Sequence, residues 1–218
     1  AFCSDLAPVL KPLSHGVSVH PEVLARRIAK RRAEGAKNVN FVGGLPDVNL
    51  LYILRTLRYC PEDTHVVWNT NLWTTPDAVD TLRGIVKTWL VDLKFGQDAC
   101  ARKLAGARNY IKTLHTLLPQ VAESGGLIVR HLLMPGHLEC CTKPALTWLS
   151  RHLPDASVNL MTGYRPFHLA GRRGALGGAL SEGERDEGLA LAARLFDERL
   201  LIDGVPMASS LVRGQGAH

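Results

Sequence analysis

The segment GLIVRHLLMPG, residues 126–136, is an apolar run that contains two polar side chains, Arg130 and His131. A short run of branched apolar residues that closes on Pro-Gly predicts a buried β-strand followed by a turn. A charged residue inside such a strand is costly to bury unless it is paired or contacts a ligand. This segment therefore predicts both an element of the fold and a candidate site.

The same pattern recurs on both sides of this segment. Strands are predicted at 37–44, 64–71, 88–94, 126–136 and 156–164, and they alternate with helices predicted at 20–34, 47–59, 75–85, 97–122, 141–153 and 181–200. Each strand reads as a continuous apolar run rather than an in-out alternation. That pattern indicates an α/β fold whose parallel sheet is buried on both faces, either doubly wound or closed as a barrel.

Composition limits the class of protein. The 218 residues, 46% of them hydrophobic, suffice for one domain with a substantial core. The net charge of +6 is densest in ARRIAKRRAEG, residues 25–35, which we interpret as the solvated face of a helix because no aromatic residues are interleaved to stack on bases. We therefore expect no nucleic acid as partner. The five irregularly spaced cysteines, with neither a secretory leader nor a long apolar stretch, predict a cytoplasmic protein without a membrane partner.

Polar and small residues collect where the predicted strands end. Because ligands bind at the carboxyl ends of parallel strands, we expect these residues to form one composite site. They are Gly43, Gly44, Asn69, Thr70, Asn71, Asp92, Lys94, Arg130, His131, Pro135, Gly136 and Asn159. An ion pair between Asp92 and Arg130 that serves only the fold remains an alternative.

Three further patterns are weaker. GRRGALGGAL, residues 171–180, is rich in glycine but does not follow a strand directly and lacks the Lys-Ser/Thr ending of a phosphate loop, so we interpret it as a surface loop. His131 and His137 lack a spacing typical of zinc sites. Adjacent Cys140 and Cys141 are interpreted as thiols at a buried helix start, because neighbouring cysteines ligate one metal only with strain.

Five segments, in this order and at these separations, resemble the radical S-adenosylmethionine (radical SAM) superfamily, and more closely its branch of pyruvate formate-lyase activating enzyme-like iron–sulfur proteins. They are KNVNFVGGLP, VVWNTN, VDLKFG, GLIVRHLLMPG and VNLMTGYRPF, and the similarity runs from residue 2 to about residue 195. The resemblance implies a partial (β/α)6-type TIM-like barrel with parallel strands. It implies a core domain over residues 1–200, and we expect a flexible tail over 201–218.

The resemblance also implies a [4Fe-4S] cluster, held in that superfamily by a C-x3-C-x-φ-C loop in which φ is aromatic. The residues Ala1-Phe2-Cys3 match the end of this loop, so that Phe2 is the aromatic residue and Cys3 the third metal ligand. On this alignment we expect the first strand and two further cysteines to precede Ala1. Cys60, Cys100, Cys140 and Cys141 lie far from Cys3 in the sequence and are expected to be poor substitutes.

S-adenosyl-L-methionine is the second cofactor that the resemblance implies. In the superfamily the methionine part of this cofactor chelates the iron that has no protein ligand. One electron from the reduced cluster then cleaves the sulfonium to methionine and a 5′-deoxyadenosyl radical, which abstracts hydrogen from a substrate. By position, Gly43 and Gly44 match the GGE motif that approaches the cofactor's amino group, with Leu45 replacing the acidic residue.

Other site residues follow from the same motifs. Asp92 and Lys94 match the DLK motif and are expected, with Cys3, to be catalytic. The residues expected to bind the cofactor are Phe2, Gly43, Gly44, Asn69, Asn71, Asp92, Arg130, His131, Pro135 and Asn159. Arg130, His131 and the Pro135-Gly136 turn match R-[HY]-x-x-x-P-G, and Asn159 and Arg165 are expected on the substrate side of the barrel.

The implied function is a radical SAM oxidoreductase, with activation of a glycyl-radical enzyme as one form and flavodoxin or ferredoxin as the type of electron donor. Two alternatives stay open. A radical-SAM-like barrel without catalytic activity would explain Leu45 and the missing cysteines. An unrelated α/β-barrel enzyme would use Asp92, Lys94 and His131 for acid–base chemistry.

Overall fold

Strands and helices alternate along the chain in the computed structural model, which describes residues 16–42, 46–172 and 174–207. The strands are β1 (Val39–Phe41), β2 (Val66–Thr70), β3 (Val86–Asp92), β4 (Gly126–Leu132), β5 (Ser157–Met161), β6 (Leu200–Ile202) and β7 (Val205–Pro206). The helices are α1 (Pro21–Ala33), α2 (Leu50–Leu57), α3 (Pro76–Leu82), α4 (Asp98–Ala105), α5 (Tyr110–Ser124), α6 (Lys143–His152) and α7 (Glu182–Phe196).

All seven strands belong to one sheet, in the order in which they occur in the sequence. Neighbouring strands from β1 to β6 are parallel, whereas β7 pairs antiparallel with β6. The sheet is open rather than closed, with β1 and β7 at its edges. The predicted α/β fold with a parallel, partial barrel sheet is confirmed.

One face of the sheet is packed under the helices. Its side chains are fully buried and include two tryptophans in edge-to-face contact, Trp68 and Trp89, whose ring centroids are 6.4 Å apart. Such aromatic pairs contribute about 0.5–1.5 kcal/mol beyond the burial of their area. Val91, Val129 and Val158 continue this layer in successive strands.

The other face of the sheet differs from the sequence prediction. In β3, β4 and β5 fully buried residues alternate with half-buried ones, and the half-buried face carries Asp92, Arg130 and Asn159. Burial on both faces was therefore wrong for these strands. The strands look continuously apolar because Leu90 and Ile128 precede the polar positions on this half-buried face, which we call the inner face.

The structure differs most from the predicted elements in two parts of the chain. The single helix predicted over 97–122 is two helices, because Gly106 ends α4 with a left-handed φ of 72° and Asn109 precedes α5 with a φ of 54°. The C-terminal segment after residue 200 begins with strands β6 and β7 instead of a tail, and residues 208–218 lie outside the described part.

Helix starts are set by side chains that the sequence displays. Thr75 caps α3 and accepts a hydrogen bond from the backbone N–H of Ala78. Ser181 and Glu184 form a reciprocal capping box at the start of α7, which satisfies N–H groups that a helix otherwise leaves unpaired. None of the helices in the described ranges is long and apolar enough to cross a membrane.

Candidate functional site

Four polar side chains meet on the inner face at the carboxyl ends of β2, β3 and β4. Arg130 Nε donates to Asp92 Oδ1 over 2.6 Å, and Arg130 Nη2 donates to Asn69 Oδ1 over 2.7 Å. Lys94 Nζ lies 3.1 Å from the other Asp92 oxygen. The structure thus brings together Asn69, Asp92, Lys94 and Arg130, which we call the inner-face cluster.

Strand register explains why these residues meet. Asp92 of β3 pairs with Arg130 of β4, and Arg130 pairs with Asn159 of β5. Residues in register on adjacent strands point to the same face of a sheet, so the three side chains share the inner face. Lys94 lies two residues beyond Asp92, and the long side chain of Arg130 reaches back to Asn69 on β2.

The inner-face cluster carries one carboxylate and two cations. The Asp92 side chain is 14% exposed, against 22% for Arg130 and 34% for Lys94, so the charges are partly desolvated but open to solvent. A charge-assisted hydrogen bond such as that between Arg130 and Asp92 contributes about 1.5–3 kcal/mol. The cluster can therefore accept a cationic group at Asp92 and an anionic group at Lys94 or Arg130.

The backbone that carries Asp92 and Lys94 is held by a tyrosine from α5. The N–H of Lys94 donates to Tyr110 Oη over 2.9 Å, and the Tyr110 ring packs against Phe95 with centroids 5.3 Å apart. Burial raises the pKa of Tyr110, so its hydroxyl stays protonated at neutral pH. Sequence patterns do not indicate this support, because Tyr110 begins a helix well beyond the strand.

Two asparagines of the predicted site serve nearby turns. Asn159 Oδ1 accepts a hydrogen bond from the N–H of Gly204 over 3.0 Å and so ties β5 to the turn between β6 and β7. Asn71 Oδ1 accepts from the N–H of Trp73 over 3.1 Å, just after β2. Arg165, expected on the substrate side, is exposed in the segment after β5.

His131 lies on the opposite side of β4 from Arg130. Its side chain is fully buried; Nδ1 is 2.6 Å from the carbonyl oxygen of Leu93 and Nε2 is 3.0 Å from Thr142 Oγ1. A carbonyl can only accept, so Nδ1 carries the proton and Nε2 accepts from the Thr142 hydroxyl. Burial lowers the pKa of His131 from 6.5 to about 4. The structure does not bring His131 together with the inner-face cluster.

The Pro135-Gly136 turn follows β4 and is hydrogen-bonded to the start of α7. Gly136 has a left-handed φ of 71°, and a Cβ there would lie 2.6 Å from the Cβ of Ala175. Its N–H donates to Glu184 Oε1 over 2.6 Å, while Ser181 donates to the other carboxylate oxygen. These hydrogen bonds, chiefly that from Ser181, lower the pKa of Glu184. Pro135 itself is buried, which fits a role in shaping this turn.

Five residues of the sequence prediction lie outside the described residues: Phe2, Cys3, Gly43, Gly44 and Leu45. The segment next to the glycines is anchored by Asp47, which sequence reasoning missed. Asp47 accepts from Trp68 Nε1 over 3.1 Å and from the Thr70 hydroxyl, both on the helix-covered side of β2. The sequence feature that could have identified Asp47 is its position as a lone acidic residue in the apolar stretch after Gly43-Gly44.

A second group of side chains gathers away from the inner face. The ligand atoms of Cys100, His137, Cys140 and Cys141 all lie within 4.8 Å of one another. The sequence predicts that Cys140 and Cys141 are thiols at a buried helix start, and the fold also brings them close to Cys100 and His137 because the loops after β3 and β4 meet. In the described part of the chain this is the one group of three or more potential metal ligands.

A comparison with known sequences finds a relative that is longer than this chain. No protein-family model matches the chain. An uncharacterized protein of Methanocaldococcus jannaschii is 38% identical over 184 residues, which are 83% of this chain and 53% of that protein. The chain thus spans about half the length of the curated relative it matches.

Solved structures give a consistent result at lower identity. A domain of pyruvate-formate lyase-activating enzyme from Bacteroides vulgatus is 20% identical with a TM-score of 0.58, over 77% of this chain and 99% of that chain. Streptococcus suis SuiB bound to S-adenosylmethionine is 16% identical with a TM-score of 0.58, over 85% of this chain and 43% of that chain.

A radical SAM methyltransferase from Sphaerobacter thermophilus is 16% identical with a TM-score of 0.52, over 82% of this chain and 53% of that chain. The resemblance inferred from the five sequence segments is thereby confirmed at the level of the fold. The chain has the partial-barrel fold that these solved structures of a radical SAM enzyme and of a pyruvate-formate lyase-activating enzyme domain share.

Proposed function

We propose that this chain is the core of a radical SAM enzyme and that the inner-face cluster binds S-adenosylmethionine. A reduced [4Fe-4S] cluster bound here would supply one electron for the cleavage of S-adenosylmethionine into methionine and a 5′-deoxyadenosyl radical, which would abstract hydrogen from the substrate. The observation that carries the proposal is the meeting of Asn69, Asp92, Lys94 and Arg130 on the open face of this fold.

The donor set fits the charges of the cofactor. S-adenosylmethionine ends in an ammonium and a carboxylate. The inner-face cluster offers the Asp92 carboxylate to the first and the cations of Lys94 and Arg130 to the second. The amide of Asn69 is 8% exposed and is already fixed by Arg130, so it is a preorganised polar partner. The inner face thus orients the cofactor, while the helix-covered face stays apolar.

The role of Cys3 as cluster ligand rests on the sequence motif, because Cys3 lies outside the described residues. The three cysteines near His137 are a different group. Each thiolate of a [4Fe-4S] cluster binds a different iron, so its ligand atoms are spread more widely than those of Cys100, Cys140 and Cys141.

We propose a protein substrate of the glycyl-radical enzyme type, approached from the open inner face, and an electron donor such as flavodoxin or ferredoxin. This choice follows the resemblance of the five sequence segments to the activating-enzyme branch, and a domain of pyruvate-formate lyase-activating enzyme shares the fold. An open sheet, in place of a closed barrel, leaves room for a macromolecular substrate beside the inner-face cluster.

Anaerobic reconstitution of the full-length protein with iron and sulfide, followed by addition of dithionite and S-adenosylmethionine, tests the proposal. The reconstituted protein is expected to release 5′-deoxyadenosine, and Asp92→Asn to release at least about 10-fold less, since one charge-assisted contact is lost. Lys87→Gln, at the opposite end of β3, is the matched control and should keep the wild-type rate.

The outcomes separate the alternatives left open by the sequence. Formation of an iron–sulfur cluster without release of 5′-deoxyadenosine would favour a barrel that has no catalytic activity. A protein that is active without iron, and that loses activity in Asp92→Asn, would favour acid–base chemistry at Asp92 and Lys94 and would contradict the proposal.

A further inference from the structure

The cysteine and histidine group lies between two loops at the carboxyl end of the sheet. Cys100 is in the first turn of α4, after β3, whereas His137, Cys140 and Cys141 follow β4. Cys141 is buried, and the other three side chains are half-buried, so the group is open enough for an ion to enter. All four residues carry the soft or borderline ligands that zinc prefers.

The distances within the group match the edges of a small coordination sphere. His137 Nδ1 lies 3.2 Å from Cys140 Sγ and 3.6 Å from Cys141 Sγ, and the two sulfurs are 3.9 Å apart. With zinc–sulfur bonds of about 2.3 Å, two thiolates of a tetrahedral site are about 3.8 Å apart. One ion at the centre would therefore reach all four ligands with little movement.

The backbone explains how adjacent cysteines serve one site. Residues Leu138–Thr142 form a π-helical turn, in which the N–H of Thr142 donates to the carbonyl of His137 over 3.2 Å. Cys140 and Cys141 follow His137 by three and four residues. This wider i to i+5 turn brings both thiols to the side on which the His137 ring lies. Such π turns are frequent at functional sites.

The surroundings hold this turn in place. The Gly96 backbone approaches so closely that a Cβ on it would lie 2.4 Å from the carbonyl oxygen of Cys141. On the other side, Thr142 donates to the buried ring of His131, which itself donates to the Leu93 carbonyl. The positive charge of Lys103 lies near His137 and complements a centre with three thiolates.

We propose that Cys100, His137, Cys140 and Cys141 bind one Zn²⁺ ion as a structural centre that fastens the loop after β3 to the loop after β4. Four protein ligands close the coordination sphere, which is the arrangement of structural rather than catalytic zinc sites. The site shares no residue with the inner-face cluster, so zinc binding here does not depend on whether the protein performs radical chemistry.

Metal analysis of the full chain, purified without iron reconstitution, tests this site. We expect about one zinc ion per chain in the wild type and in the control Cys60→Ser, whose thiol lies outside the group. Cys100→Ser and Cys140→Ser should each lower zinc affinity at least about 100-fold. Chelation should lower the midpoint of thermal unfolding of the wild type more than that of Cys140→Ser.

A cobalt titration of the chelator-treated wild type keeps the test valid if a variant fails to fold. Tetrahedral Co²⁺ with thiolates is expected to give a charge-transfer band and intense visible bands, which one equivalent of zinc abolishes. Zinc retained in full by Cys140→Ser, a cobalt spectrum without thiolate bands, or an iron–sulfur chromophore that depends on Cys100 and Cys140 would each overturn the proposal.

Discussion

Arg130 and His131 are neighbours in the sequence with opposite surroundings. Arg130 points to the inner face and pairs with Asp92, whereas His131 points under the helices and bonds to backbone and Thr142. The sequence identified both as unusual in an apolar strand, but it could not assign their faces. That assignment needs the register, since a shift of one residue exchanges the two sides of a strand.

His131 makes stability depend on acid in a predictable way. The folded protein keeps the ring neutral down to pH of about 4, whereas the unfolded chain protonates it near 6.5. The contribution of His131 to the free energy of unfolding is therefore fully present above 6.5, the pKa of the unfolded chain. It is lost as pH falls from 6.5 towards the folded-state pKa of about 4. The loss amounts to about 3 kcal/mol.

Denaturant unfolding of wild type and His131→Asn at several pH values measures this contribution. Asparagine can still donate to the Leu93 carbonyl but does not titrate, so the variant should be less stable at pH 7 and lose less stability on acidification. Parallel pH profiles for the two proteins would show that His131 does not contribute in this way.

The turn after β4 shows which elements sequence patterns miss. The strand and the following helix were predicted, yet the π-helical turn at Leu138–Thr142 was not, because its wide i to i+5 bond leaves no periodic trace over five residues. The contact of this turn with Cys100 joins segments about 40 residues apart and depends on the packing of α4. Local spacing, on which metal motifs rely, carries no information about such a contact.

Gly96 is the backbone contact on which this arrangement depends. Gly96→Ala would place a Cβ 2.4 Å from the Cys141 carbonyl oxygen, and backbone atoms cannot turn away as a side chain can. We expect a loss of about 1–3 kcal/mol in the free energy of unfolding. Gly163→Ala, which meets nothing within 4 Å, is the control and should remain near wild type in urea denaturation. Equal stability of both variants would contradict the close approach.

The five strands β1 to β5 followed from the alternation of apolar runs and helices, and their parallel direction could be predicted from the sequence. The openness of the inner face could not, because Leu90 and Ile128 make the strands look buried on both sides. The strands β6 and β7 were missed because each is only two or three residues long and depends on a neighbouring strand, β6 on β5 and β7 on β6. Asp92 and Arg130 were found because charge within an apolar run is visible in sequence.

The whole fold is organised so that one face of the sheet is apolar and helix-covered while the other presents charge. If that inner face is the cofactor site, its affinity must depend on Asp92, which pairs with both Arg130 and Lys94. If the inner-face cluster only stabilises the fold, substitution of Asp92 will change the free energy of unfolding but not the affinity for S-adenosylmethionine.

Titration calorimetry of S-adenosylmethionine against the reconstituted protein tests this most directly. Asp92→Asn is expected to bind about 10- to 100-fold more weakly, which corresponds to the loss of one charge-assisted hydrogen bond. Asp80→Asn, whose carboxylate pairs with Arg83 on the surface, should bind like the wild type. Wild-type affinity in Asp92→Asn together with easier unfolding would contradict the assignment of the inner face as the cofactor site.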